Sequence, residues 1–263
     1  MPKLCANLHY LFQELPFLDR FAAAAACGFR AVECLYPYEA PAEAIGERLG
    51  RHGLTLALFN LPSGDREKSE RGLAALPGRE ADFRADLERA FDYARVTGGR
   101  RLHVLSGLWP SDRDRAEGER VLIANLRDAA ELAAAQGLEL LIEPINPRDI
   151  PGYFLNTPQQ AAAILAQVAH PNVRLQLDLY HCQIVAGDLA THIRRLLPLV
   201  AHIQIAGVPE RHEPDRGEVN FAYLLGLLDE LGYDGWVGCE YRPASGTRAG
   251  LGWARPWGIE ASA

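Results

Sequence analysis

The chain has 263 residues, 48% of them hydrophobic, with a formal net charge of −7. That length suffices for one sizeable core and fits the ~250 residues of an eight-unit barrel, so one domain over 1–263 is expected. The acidic balance argues against a nucleic-acid partner or an anionic membrane surface, but not against a small anionic substrate in a locally basic pocket.

Apolar stretches and helical patterns alternate along the whole chain. Residues 3–8 read as a first strand, followed by the alanine run 22–26, a strong helix former closed by Gly28. Residues 31–35 are a second strand carrying Glu33, and 41–52 a helix closed by Gly53. Residues 54–59 form a third strand ending at Asn60. A long polar insertion, 61–79, then reads as a loop of lid type, with Lys68 within it. The helix 80–96 shows Phe83, Leu87, Ala90, Phe91 and Ala94 on one face. A fourth strand covers 101–106 and a long helix 114–136.

The fifth strand lies in 140–146, where an apolar run delivers Glu143 and then a proline. A helix at 158–169 follows, with Thr157 as N-cap and proline at its first position. Residues 173–179 form the sixth strand, 189–197 a helix capped by Asp188, and 201–206 the seventh strand. A helix at 221–231 capped by Asn220 and the strand 236–241 complete the series. The tail 247–263 leaves room only for a short eighth helix, and Trp253 and Trp257, taken as exposed, hint at a covered surface in a homo-oligomer. Eight strands in alternation with seven clear helices predict an α/β fold, a (β/α)8 TIM barrel. An open doubly wound sheet would carry GxGxxG after its first strand, and that motif is absent.

Glu143, Asp178, Gln204 and Glu240 fall at or near the C-terminal ends of strands five to eight. Neighbouring strands can bring them to one point. Three carboxylates and an amide oxygen form a hard set suited to Mg2+ or Mn2+ rather than zinc. His181 follows Asp178 by three residues, just outside the strand, where it could orient substrate. Arg211 stands in a charged loop and has the fork geometry for a carboxylate. Glu33, His103 and His202 read as buried structural groups, and Arg148-Asp149 as a turn or a pair steadying Glu143.

Of the cationic residues only Lys3 and Lys68 are lysines, and neither lies at a buried strand end, which weighs against Schiff-base chemistry. Five scattered cysteines without a CxxC pair read as small buried hydrophobes in a reducing compartment. No apolar run approaches the ~18 residues of a membrane span and no secretory signal opens the chain, so a cytoplasmic setting is expected.

Several stretches carry a family likeness: Leu15-Pro16-Phe17-Leu18-Asp19-Arg20-Phe21, Arg71-Gly72-Leu73-Ala74-Ala75-Leu76-Pro77-Gly78-Arg79-Glu80, Glu143-Pro144-Ile145-Asn146, Asp149-Ile150-Pro151-Gly152, Gln176-Leu177-Asp178-Leu179-Tyr180-His181 and Gly250-Leu251-Gly252-Trp253. In these the chain resembles the hydroxypyruvate isomerase family, a branch of the xylose isomerase-like barrels. The resemblance implies metal ligation by Glu143, Asp178, Gln204 and Glu240, a catalytic pair in Glu143 and Glu240, and substrate contacts from His181 and Arg211. It also implies a metal-dependent isomerase converting hydroxypyruvate to 2-hydroxy-3-oxopropanoate. Related isomerases that shift a hydride use two metals and an active-site lysine. None is available here, so proton transfer through an enediolate is expected. The alternatives are a larger 2-oxo acid (2-oxo-tetronate), a ketose epimerised at C3, and, from another class, a sugar or inositol dehydratase. The abasic-site nuclease of the same superfamily needs more strand-end histidines and a basic face.

Overall fold

The computed structural model describes residues 1–65 and 70–260. Eight parallel strands close into one barrel in chain order: β1 (Lys3–Asn7), β2 (Ala31–Cys34), β3 (Thr55–Asn60), β4 (Arg101–His103), β5 (Glu139–Ile142), β6 (Val173–Asp178), β7 (Val200–Ile205) and β8 (Trp236–Cys239), which returns to pair with β1. Their near-continuous apolar sequences follow from being covered on both faces, by the barrel interior on one side and by helices on the other. Every residue of β7 is buried, and β3 is buried from its second residue onward.

The outer ring begins with α1 (Arg20–Ala26), α2 (Ala42–His52), α3 (Glu80–Thr97), α4 (Arg115–Ala134) and α5 (Pro158–Val168). Their ends obey local chemistry. Asp114 and Thr157 accept hydrogen bonds from the amides of Ala116 and Gln160, and Gly53 and Gly98 close α2 and α3 in the left-handed conformation. The apolar stripe of α3 read from sequence is the buried one. Among the described residues, no helix is long and apolar enough to cross a membrane.

The second half departs from the sequence reading in several places. A helix not anticipated, α6 (Leu179–Val185), starts directly at the end of β6, capped by Asp178, whose carboxylate accepts from the amides of Tyr180 and His181. His181 therefore sits in a buried helical turn and not in a loop. In α7 (Leu189–Leu196) Asp188 occupies the cap position, but its side chain makes no capping bond and its φ is +45°. With α8 (Phe221–Glu230), capped by Asn220, and α9 (Thr247–Gly250), continued by 3-10 turns over Leu251–Trp257, the described residues hold nine α-helices rather than seven.

The segment after β3 is no free polar lid where it is described. Leu73, Ala74 and Ala75 are buried, and Gly72 bridges Ser106, because apolar residues within a polar stretch still seek the core. Lys68 lies outside the described residues. Trp253 and Trp257 are half-buried rather than exposed and pack on each other at 5.9 Å. All five cysteines are free and buried.

One polar cluster lies inside the barrel. The Glu33 carboxylate of β2 meets His202 at 2.6 Å and accepts from Asn7 and Gln204, each at 2.9 Å. Space for it comes from Gly238 of β8, where an added Cβ would stand 2.3 Å from a Glu33 oxygen. Since Glu33 is clamped on three sides, it cannot yield. Gly238→Ala should lower unfolding free energy by roughly 1–3 kcal/mol through overpacking, read as a lower urea midpoint with an unchanged slope; an unaltered midpoint would show that the interior has slack.

Candidate active site

The C-terminal ends of β5, β6, β7 and β8 deliver Glu143, Asp178, Gln204 and Glu240, all buried. Glu143, Glu240, His181, Arg211, His103 and Asp149 line one cavity of about 240 Å3. A wider cleft of about 750 Å3, lined by His9 and Thr247 among others, adjoins it, and the two share Tyr10, Leu35, Tyr36 and Arg242. The larger cleft contains none of the four acid or amide groups; the chemistry lies in the smaller cavity.

Each group has a distinct set of partners. One Glu240 oxygen accepts from Arg211 at 2.6 Å, the other from Asn7 at 2.8 Å and from Gln204 at 2.6 Å. The Oε1 of Gln204 accepts from Gln176 at 2.6 Å, so its NH2 and not its oxygen faces the carboxylates of Glu33 and Glu240. Two carboxylates on one side demand a donor there. Glu143 has His103 3.5 Å from Oε2, and its Oε1 has no hydrogen-bond partner. Asp178 spends Oδ1 on the cap of α6, while Oδ2 is likewise unpartnered, with Arg211 and His181 each 3.6 Å away.

Two buried carboxylate oxygens without a partner are costly unless a cation or proton meets them. Ligand atoms of Glu143, Asp178 and His181 lie within 4.8 Å of one another, a spacing that fits one cation. The imidazole is otherwise engaged, however. Both the side-chain amide of Asn146, at 2.6 Å, and its backbone N–H, at 3.4 Å, point at Nδ1 of His181. The Asn146 oxygen is taken by the Asp149 amide, which fixes the NH2 toward the ring. Nδ1 is thus the acceptor and a neutral ring carries its proton on Nε2, assigned from this network. Burial, with help from Arg211, holds His181 neutral, far below the usual histidine range. An Nε2–H beside Asp178 is a donor for a ligand oxygen.

Burial pushes the acids the other way. Desolvation raises Asp178 to about 6 and Glu240 to about 8, opposed in both by Arg211, and it raises Glu143 well above its ordinary value, with repulsion from Asp178 and Glu240 adding to it. Burial also lowers His103 to about 3, leaving it neutral beside Glu143. Arg211 is 7% exposed, and its guanidinium lies over the rings of Tyr10 at 4.9 Å and Tyr180 at 4.7 Å. The charged loop read from sequence is in fact a knot of backbone bonds, Gly207 to His212 and Arg211 to Gly207, that holds Arg211 at φ +60°. Asp149 pairs with Arg211 at 3.2 Å, and Arg148 bonds the Tyr180 hydroxyl and the Pro209 carbonyl; neither touches Glu143, so the turn supports Arg211 instead. Asn146 and Asn7 were not singled out as site residues in the sequence, because a single polar residue in a turn or at a strand end carries no pattern.

Arg211→Met should therefore destabilise the metal-free protein by roughly 3 kcal/mol, as when a buried pair loses one partner. The loss should grow from about pH 7 to about pH 8.5. Carboxylates raised in the folded state hold protons at the lower pH and must give them up as pH rises, so their contribution to stability falls in that direction. Urea unfolding in chelator at both pH values measures it, and equal stability to the parent would remove Arg211 as the counter-charge.

Comparison with known proteins adds three findings. The family described as "Xylose isomerase-like TIM barrel" matches residues 21–257. The chain is 58% identical to the 2-oxo-tetronate isomerase of Cupriavidus necator, over 98% of this chain and 99% of that one, and 41% identical to the hydroxypyruvate isomerase of Escherichia coli, over 98% and 100%. Among solved structures, that of an AP endonuclease of family 2 from Brucella melitensis superimposes with a TM-score of 0.96 at 46% identity, covering 98% of this chain and 99% of that one.

Proposed function

The chain belongs to the xylose isomerase-like TIM barrel family, and from that membership we propose that it is an isomerase moving a carbonyl between C2 and C3 of a short 2-oxo-3-hydroxy acid. The observation that carries this reading is the pair of buried glutamates, Glu143 and Glu240, on the wall of one small cavity, both pushed by burial above the usual carboxylate range. The four-carbon acid, 2-oxo-tetronate, is the first substrate, since the relative of that name shares 58% of its residues with this chain. Hydroxypyruvate, the three-carbon acid, is the second, on the likeness to the Escherichia coli protein.

In this reading one glutamate takes the proton from C3, the electron pair becomes the enediolate double bond, and a proton is delivered to C2 while the hydroxyl proton passes from the C3 oxygen to the C2 oxygen. Which glutamate removes and which delivers exchanges with reaction direction. His181 donates its Nε2–H to a substrate oxygen, and its neutral state keeps it from adding a charge to the carbonyl side. Arg211 holds Glu240 in place and limits how far burial raises it. Glu143 and Glu240 are themselves buried, which limits the water within reach of the enediolate.

A divalent ion, Mg2+ or Mn2+, would be held by the open oxygens of Glu143 and Asp178, with Glu240 beside them; Gln204 would join through its oxygen only with its amide turned over. Such an ion supplies a Lewis acid that polarises the carbonyl and steadies developing negative charge. The donor set is mostly carboxylate, which suits these ions better than zinc.

Isomerisation of 2-oxo-tetronate and of hydroxypyruvate should vanish in EDTA and return with Mg2+ or Mn2+. Activity that persists after exhaustive chelation would remove the ion from the scheme. Glu143→Gln and Glu240→Gln should each lower kcat by about 10^2–10^4 with KM little changed, the pattern of a lost proton-transfer group. Near-normal turnover in either variant, on folded protein, would end the two-glutamate mechanism.

A further inference from the structure

We infer that Arg71 and Arg242, and not Arg211, receive the carboxylate of the substrate; this rests on the proposed acid substrate and names its anchor. The cavity that contains Glu143, Asp149 and Glu240 is also lined by three arginines, Arg71, Arg211 and Arg242. Arg211 has no charge left to offer. It bonds Glu240 at 2.6 Å and Asp149 at 3.2 Å, lies 3.6 Å from Asp178, and is pressed between two tyrosine rings. Among the described residues the side chains of Arg71 and Arg242 make no ion pair and no hydrogen bond.

An anion entering a site with several carboxylates meets repulsion, and only cations not already neutralised can offset it. Two free guanidiniums at one cavity supply that, and each can grip a carboxylate through two parallel bonds. Both are mounted on fixed backbone. The residue after Arg71, Gly72, bridges Ser106, donates to the Ser63 carbonyl at 3.0 Å, and lies so close to Leu105 that a Cβ would stand 2.2 Å from its carbonyl oxygen. The Arg242 amide donates to the Arg211 carbonyl at 2.7 Å, and its own carbonyl meets His212 at 2.7 Å. Arg242 also lines the wider cleft, so it stands where that cleft joins the reaction cavity and meets an incoming acid first. The two arginines thus set the choice of acid over neutral sugar, while the glutamates perform the same proton transfer on either.

The test uses Arg71→Met and Arg242→Met in the full chain with Mn2+ present. For 2-oxo-tetronate and hydroxypyruvate each variant should raise KM at least tenfold with a smaller change in kcat. The ratio of kcat/KM for the acid to that for the matching neutral ketose, erythrulose or dihydroxyacetone, should fall by a similar factor. A generally loosened fold would lower both rates together and leave the ratio where it was, which would overturn the assignment. Titration calorimetry with erythronate, an acid with no carbonyl to move, reads the anchor without turnover. Parent binding that weakens at least tenfold in both variants supports it, even if the parent isomerises neither acid and the functional reading falls. Parent and variants binding erythronate alike, or the parent not binding it, overturns the anchor even if isomerisation is confirmed.

Discussion

One guanidinium holds the mouth of this barrel together. Strands β6 and β8 end in acids that have left water, the end of β5 adds another, and burying three carboxylates near one another is unfavourable by several kcal/mol for each uncompensated charge. Arg211 touches two of them and the Asp149 carboxylate besides. Its backbone is in a conformation that a non-glycine residue rarely adopts, and a loop closed on itself by main-chain bonds keeps it there. The aromatic faces on both sides exclude water and strengthen each charge–charge attraction. Removing that residue would change the acids' protonation, and with it the state in which the cavity meets its ligand.

A second polar layer lies deeper. Glu33 accepts hydrogen bonds from His202, Asn7 and Gln204, and the last two of these also hold Glu240. The orientation of Glu240 is thereby tied to a carboxylate two strands away around the barrel. The tie is possible because β8 carries a glycine opposite Glu33. Packing inside the barrel and geometry at its mouth are one arrangement: a methyl group placed at residue 238 would displace Glu33, then Asn7 and Gln204, then the glutamate at the rim.

Much of this could be read in the residues beforehand. The strands were visible because burial on both faces leaves short apolar runs, and the acids stood out because each interrupts such a run at its end. Helix α6 was missed for a related reason. It has only seven residues, too few for a periodic stripe, and its cap, Asp178, had already been taken for a ligand; the carboxylate has two oxygens and only one caps the helix. Within 61–79 the burial of Leu73, Ala74 and Ala75 was not legible, because composition averages over a stretch, although the loop does bring Arg71 to the cavity. The amide orientation of Gln204 and the tautomer of His181 are set by partners distant in sequence, Gln176 and Asn146, and no local pattern announces them. Arg211 was singled out by residue type, but its burial was not foreseen, since a cluster of charges in sequence looks the same whether solvated or folded inward.

The distribution of these groups around the barrel has a consequence of its own. The buried carboxylates of the cavity all come from the second half of the chain, whereas Tyr10, Tyr36, Asn60 and Arg71, which also face it, come from the first. The buried acids and this part of the cavity wall are therefore separate inheritances within one polypeptide. A duplicated gene could drift in the loops after β1, β2 and β3, reshaping that part of the wall, while the half that carries the buried acids stays under its old selection. Divergence of that kind would show itself as new substrates arising without any intermediate stage of lost chemistry.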